Sequence, residues 1–157
     1  MLKGKNITLR SLILNDLDFL YSIENSFENW QYGSEKKHFS KEALVSYINN
    51  ANEDIGTAKQ YRFVIDYQNN PIGFIDLFDY TINSAGVGII IDKKYRERGF
   101  AKEALHLLID YSSVNLKIEQ LTSKVEKGNI ASINLFTSCG FNLQMEKESF
   151  NFYTLTI

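Results

Sequence analysis

The chain has 157 residues, 44% hydrophobic and 23% charged, the make-up of one globular domain large enough to bury a core. Its formal charge of −2 provides no basic excess for a nucleic-acid backbone or an anionic membrane surface. The longest apolar run, residues 87–91 broken by Gly88, falls far short of the ~20 residues a spanning helix needs.

Residues 1–6 lack the apolar stretch of a signal peptide. The single Cys139 excludes an intramolecular disulfide and a multi-cysteine metal site. These absences set the expectation of a cytoplasmic protein. With no repeat, low-complexity block or linker, residues 1–157 read as a single domain.

Taken in chain order, residues 5–10 alternate and predict a first strand. Asn15 or Asp16 can cap a helix whose apolar face is Leu17, Leu20, Tyr21 and Ile23. Residues 28–39 are aromatic and charged without clear period, after which Ser40 caps a helix bearing Leu44, Tyr47 and Ile48. Residues 61–67 alternate around Phe63 and Ile65, Asn69-Asn70-Pro71 is turn chemistry, and residues 72–80 return as an antiparallel partner. A buried strand over 85–92 leads to a helix with Ala101, Ala104, Leu105, Leu108, Ile109 and Tyr111 inward. A strand over 118–125, a short helix over 131–138 ending at Gly140, and two more strands complete the chain. This order predicts an α/β (α+β) sandwich: a mixed, mostly antiparallel sheet of about seven strands with helices on both faces.

The most informative stretch is 87–108. A strand ends at Asp92, a charged turn follows, and Gly99 opens a long helix. A helix N-terminus presents unpaired N–H groups and the positive end of the helix dipole to an anion. Gly99 and Ala101 allow close backbone approach, and Arg96, Arg98 and Lys102 add positive charge where a pyrophosphate would sit. The competing reading is a tight turn with solvated basic side chains. The spacing is neither that of a P-loop nor that of the dinucleotide fingerprint.

Tyr95-Arg96-Glu97-Arg98-Gly99-Phe100-Ala101, followed by Glu103-Ala104-Leu105 and preceded by Gly88-Ile89-Ile90-Ile91, resembles motif A of the GNAT superfamily of N-acetyltransferases. Downstream, Asn129-Ile130-Ala131-Ser132-Ile133-Asn134-Leu135-Phe136 with Cys139-Gly140-Phe141 resembles motif B. An opening Ile7-Thr8-Leu9-Arg10 with Asp16-Leu17 extends the resemblance over nearly the whole chain. Within the superfamily, the strand Pro71-Ile72-Gly73-Phe74-Ile75-Asp76-Leu77-Phe78-Asp79 is similar to that of the spermidine and ribosomal-protein N-acetyltransferase branch.

The resemblance implies a sheet splayed between its fourth strand (85–92) and its fifth, with the pantetheine of acetyl-CoA lying in the gap. It assigns Ile89 and Ile91, with Ile90 between them, to the pantetheine contact, and the backbone from Arg98 through Gly99 and Phe100 to Ala101 to the pyrophosphate. Arg96, Glu97 and Lys102 flank that turn. Asn129 would reach the pantetheine arm, Ser132 and Phe136 would wall the thioester, and the Ile89 amide would polarise its carbonyl. Two positions depart from the family pattern: the motif-B Tyr is Phe136, and the fourth-strand carboxylate falls at Gly86.

Asp76 is the first choice for cation recognition or base work, against an ordinary strand carboxylate. Asp79, three residues on, would point to the opposite face of a regular strand. Glu24 and Glu28 could bind an ammonium group or belong to a solvated helix face, and Trp30, Tyr32 and Phe39 could form a lid or simply pack. Cys139 reads as a packing residue, and His38 and His106 lack metal-ligand spacing. The expected acceptor is a small cationic amine or polyamine. The alternatives are a protein N-terminus, or a coenzyme A-binding module with little catalysis. The aromatic C-terminal strands would suit a homodimer or plain packing.

Overall fold

Two strands at the middle of the chain, β3 (Tyr61–Tyr67) and β4 (Asn70–Phe78), form the hairpin on which the rest assembles. The computed structural model describes residues 1–26 and 38–157. Gln68 (φ 51) and Asn69 (φ 65) make the left-handed turn of this hairpin, one residue earlier than Asn69-Asn70-Pro71 implies. Pro71, which has no N–H to give, falls where the pairing register shifts.

The remaining strands are β1 (Leu2–Lys3), β2 (Thr8–Ser11), β5 (Ser84–Ile91), β6 (Gln120–Glu126), β7 (Asn142–Lys147) and β8 (Phe150–Thr156). They form one sheet in the order β1-β2-β3-β4-β5-β6-β8-β7. Every neighbouring pair is antiparallel except β5 and β6. The count is eight rather than seven because β1 is two residues long, too short to carry a period. It is held by a turn in which Gly4 N–H donates to Ile7 O at 2.8 Å.

Five α-helices are described: α1 (Leu17–Glu24), α2 (Lys41–Asn50), α3 (Ile55–Ala58), α4 (Phe100–Val114) and α5 (Ile130–Ser138). Ser40 caps α2 as expected, accepting from Ala43 N–H at 3.1 Å. Asp16 precedes α1 without capping it. Its carboxylate takes two hydrogen bonds from Arg10, at 2.8 and 2.9 Å, and one from Ile13 N–H. The opening Arg10 and Asp16 of the family pattern are therefore an ion pair, its carboxylate buried and its guanidinium half-buried, that fixes the first strand to the first helix.

The sheet separates two apolar layers. Phe63, Ile75, Leu77, Val87 and Ile91 pack with α4 residues Phe100, Ala104, Leu105 and Leu108 on one face. Val64 and Phe74 pack with Leu20, Ile23, Leu44 and Ile48 of α1 and α2 on the other. Strand alternation does this sorting. It also places Arg62 and Asp76, register partners on β3 and β4, on the α1/α2 face.

Candidate active site

β5 and β6 run parallel, and their pairing stops at Gly86 opposite Thr122. Beyond that point residues 87–91 keep β4 alone as a partner, so the sheet opens into a gap. Hydrogen-bond parity identifies the groups that face it. Asp92 N–H donates to Ile72 O at 2.7 Å, so the even residues of β5 bond β4. The N–H groups of Val87, Ile89 and Ile91 consequently point away from β4, toward the gap. Gly88, Ile89 and Ile90 are half-buried, unlike the fully covered strand expected from an apolar run.

The turn after β5 delivers the N-terminus of α4 to the end of this gap. Arg96 Nε donates to Ile91 O at 2.9 Å and holds the turn against the strand. Glu97 (φ 61) and Gly99 (φ 84) are both left-handed. Nothing lies within 4 Å of where a Gly99 Cβ would stand, so the backbone conformation demands glycine there and leaves the approach open. The first bond of α4 runs from Glu103 N–H to Gly99 O at 3.1 Å, which leaves the N–H groups of 100–102 without helical partners.

The gap and the helix terminus belong to one cleft of about 1510 Å³. That exceeds the roughly 300–1,000 Å³ of a pocket for one small ligand and gives room for two substrates. Ile89, Ile90, Ile91, Arg96, Glu97, Gly99, Phe100, Ala101, Lys102, Asn129 and Ser132 all border it. Asn129 Oδ1 accepts from Ser132 N–H at 3.2 Å and caps α5. At the other end of that helix, Phe141 N–H bonds Phe136 O at 3.0 Å around left-handed Gly140 (φ 94). Motif B is thus a helix with both ends capped.

Two expected donor-site side chains stand elsewhere. Phe136 is 3% exposed and packs edge-on against Phe141 at 5.0 Å, inside the core rather than on the cleft wall. Its place is taken by Asn134, Leu135 and Ser138, which do border the cleft. Arg98 does not border it, and its guanidinium lies over the rings of Tyr67, Tyr95 and Phe100 at 5.0 to 5.8 Å. Only the Arg98 backbone belongs to the turn.

On the α1/α2 face the cleft is lined by Glu24, Tyr47, Arg62, Asp76 and Phe78. Arg62 organises them. Its Nε and Nη2 grip both Asp76 oxygens at 2.8 Å, and its Nη1 bonds Glu24 Oε1. The guanidinium also lies over Phe74 and Tyr47, at 5.0 and 5.6 Å. Burial alone would lower the Arg62 pKa, but Asp76, Tyr47 and Glu24 more than offset it and hold it well above its ordinary value. Burial likewise raises the Tyr47 hydroxyl, only partly countered by Arg62. Asp76 and Glu24 therefore come together as a pair already joined through a cation, which the spacing of the two carboxylates does not reveal. A charged residue in the alternating 61–67 strand, on the face shared with Val64, was the available signal.

Asp79 has left the strand, in a left-handed turn (φ 48), and is exposed away from the cleft lining. Glu28, Trp30 and Tyr32 lie outside the described residues. At Gly86 the missing carboxylate has a steric reason, because a Cβ there would stand 2.5 to 2.9 Å from the Phe78 ring. The Cys139 thiol is pushed up by burial, with a weaker opposing hydrogen bond from Ser138, and is not activated as a nucleophile. Among the described residues no cluster of His, Cys, Asp and Glu could hold a metal ion, and no helix is long and apolar enough to cross a membrane.

Residues 6–142 match the family described as an acetyltransferase (GNAT) domain. The chain belongs to the GNAT acetyltransferase family. It is 30% identical over 141 residues to a spermidine N(1)-acetyltransferase of Vibrio cholerae, covering 88% of this chain and 80% of that one. It is 26% identical over 148 residues to the Escherichia coli K12 spermidine N(1)-acetyltransferase, covering 93% and 78%. In solved structures, the fold matches V. cholerae spermidine N-acetyltransferase in complex with CoA and spermine (TM-score 0.84, 24% identity, 98% and 96% covered). It also matches the ribosomal L7/L12 alpha-N-protein acetyltransferase RimL in complex with coenzyme A (TM-score 0.86, 16% identity, 98% and 96% covered). This GNAT fold is the mixed sheet with helices on both faces that the element order implies, with one more strand.

Proposed function

We propose that this acetyltransferase moves an acetyl group from acetyl-CoA to the primary amine of a small molecule bound as an ammonium ion on the α1/α2 face. The observation that carries the reading is the open edge of β5 running into the N-terminus of α4. Ile89 and Ile91 offer backbone amides to pantetheine as an added strand would, and the amides around Gly99 to Ala101 receive the pyrophosphate. Asn129, whose Oδ1 caps α5, keeps its amide nitrogen for the pantetheine arm.

The bound ammonium first loses a proton to water in the cleft, and the neutral amine nitrogen then attacks the thioester carbonyl carbon, so a C–N bond forms and the C–S bond breaks. A second amine proton passes to water in the open cleft, and coenzyme A leaves as a thiolate that takes a proton from solvent. The Ile89 N–H faces the place where negative charge develops on the carbonyl oxygen. Phe136 supplies no acid, and a thiol of pKa ~8.5 leaves without one at a reduced rate. Asp76 and Glu24 draw the ammonium in electrostatically, because both Asp76 oxygens are occupied by Arg62. Arg62 cancels one of the two charges of Asp76 and Glu24, so this carboxylate pair suits one ammonium group better than a polyamine chain.

A protein N-terminus, the second reading, fits the same single charge. A cytoplasmic site of action and a homodimer complete the proposal. Incubation with acetyl-CoA and an amine and peptide panel, following free thiol, tests it. Thiol release with small amines is expected. Release with peptides alone would favour the second reading, and none above hydrolysis would defeat both.

A further inference from the structure

The far wall of the gap carries a charge that amine transfer does not use. Lys124 lies on β6, two residues past the last pairing of β5 with β6 at Gly86 and Thr122. Register partners share a face, so Thr122 and Lys124 stand on the same side of the sheet as Gly86, Gly88 and Asp76. This is the acceptor side. Leu121 and Val125 point the other way, into the core beneath α4. Lys124 therefore belongs to neither the pyrophosphate turn nor the α4 face, although it borders the same cleft.

Its ammonium group sits 4.2 Å over the Phe150 ring, which holds it in place. No carboxylate among the described residues pairs with it, including Glu126 on the same face. Lys127, by contrast, is paired with Glu146. An unpaired ammonium fixed on an aromatic ring at the rim of a cleft is arranged to meet an anion. Across the gap, among the described residues, the two carboxylates of Glu24 and Asp76 stand against the one guanidinium of Arg62. The acceptor side is thus bipolar, negative over β4 and positive over β6. With β5 between them at the ~4.8 Å strand spacing, the two strand axes stand about 10 Å apart or more. The splayed β5 edge, and so the thioester, lies between the poles.

We infer that Lys124 determines acceptor specificity by binding an anionic group of the amine substrate, most simply a carboxylate. The acceptor is then a zwitterion, such as an amino acid or a short acidic peptide, with its ammonium toward Glu24 and Asp76 and its carboxylate on Lys124. A polyamine would meet Lys124 with a like charge. This rests on acetyl transfer occurring in the cleft.

Thiol release from acetyl-CoA is measured with 4-aminobutyrate against butylamine, aspartate against aspartate diamide, and spermidine, for the wild type, Lys124→Ala and Lys124→Glu. Lys124 is exposed, so both variants should fold, and thermal melting verifies it. The wild type is expected to favour each carboxylate-bearing acceptor over its partner that lacks the carboxylate. Lys124→Ala should lower kcat/KM for the carboxylate-bearing acceptors about tenfold, mainly through KM, and for butylamine less than twofold. Lys124→Glu should shift preference toward spermidine. Calorimetric affinity for coenzyme A should be the same in all three proteins. Equal turnover of acceptors with and without a carboxylate, or preference for spermidine, overturns the inference while leaving acetyl transfer standing. Weakened coenzyme A binding in Lys124→Ala overturns it by assigning the lysine to the donor. Thiol release from no amine removes the acetyl-transfer reading, and this inference with it.

Discussion

Arg62 draws together carboxylates that are 14 and 38 positions away in sequence, and this decides how the acceptor face behaves. Its guanidinium is planar and forked, so it satisfies Asp76 with two parallel bonds and still reaches Glu24. Lysine could not do both. Arg62→Met leaves two carboxylates facing each other with no cation between them. All three side chains are 17 to 26% exposed, so the loss stays below that of a fully buried pair. The expected destabilisation is about 2 kcal/mol in urea unfolding at neutral pH. The double variant Arg62→Met/Asp76→Asn should regain part of it, since it removes one of the stranded charges. If the single variant unfolds at the wild-type midpoint, the network does not hold this face together. The charged residue at 62 in an alternating strand was the one sign in the sequence, and it does not give the partners, because they depend on the register that sets Arg62 opposite Asp76. Phe136 escaped for a related reason. Motif spacing places it correctly on α5, but spacing does not say whether a ring turns to the cleft or into the core.

Elements whose ends demand particular residues were the legible ones. Gly99 and Gly140 occupy left-handed positions, and Ser40 and Asn129 accept from backbone N–H groups at helix starts. A residue type at a fixed offset betrays such an end, so the amino-acid sequence alone suffices to place both motifs. By contrast, the four-residue α3, capped by Asp54, carries too little pattern to be seen. Motif A also contains an anchor with no part in anion binding. Glu103, on the first turn of α4, accepts from Asn6 N–H, Asn6 Nδ2 and Ile7 N–H, all at 2.9 Å. Gly4 has no side chain because a Cβ would stand 2.4 Å from a Glu103 oxygen. Partial burial pushes the Glu103 pKa up, yet the Asn6 and Ile7 hydrogen bonds outweigh it, and the result lies below the ordinary 4.5. A carboxylate held lower in the folded state stabilises the fold above its unfolded pKa and ceases to as pH falls through the folded value. Glu103→Gln should therefore lower the unfolding free energy at pH 7, followed by urea, by about 1 kcal/mol given its exposure. The gap to wild type should close as the pH is taken below 4.5 and on through the lower folded value. A difference that persists in acid would mean that shape, not charge, makes the anchor.

For the molecule as a whole, the sheet is complete except along one edge, and there the fold and the proposed chemistry meet. Eight strands in a single sheet should leave few unpaired amides inside, yet the parallel β5–β6 junction opens after Gly86 and Thr122. Ile90 is bonded to Phe74 across β4, whereas Ile89 and Ile91 turn their N–H groups to the opening. Unpaired groups in a half-buried strand are costly unless water or a ligand satisfies them. Amide exchange followed residue by residue should find Ile90 protected with or without ligand. Ile89 and Ile91 should exchange fast in the free protein and slow at least tenfold when coenzyme A is added. At 100 times its Kd, coenzyme A should add about 2.7 kcal/mol of stability and raise Tm by roughly 5–10 °C. Stabilisation without protection of Ile89 and Ile91 would place the ligand at the α4 terminus alone, and the added-strand arrangement of pantetheine would fall. Protection of both amides together with the rise in Tm would tie the interrupted sheet to the donor, since a closed β5–β6 ladder would leave no amide for pantetheine to bond.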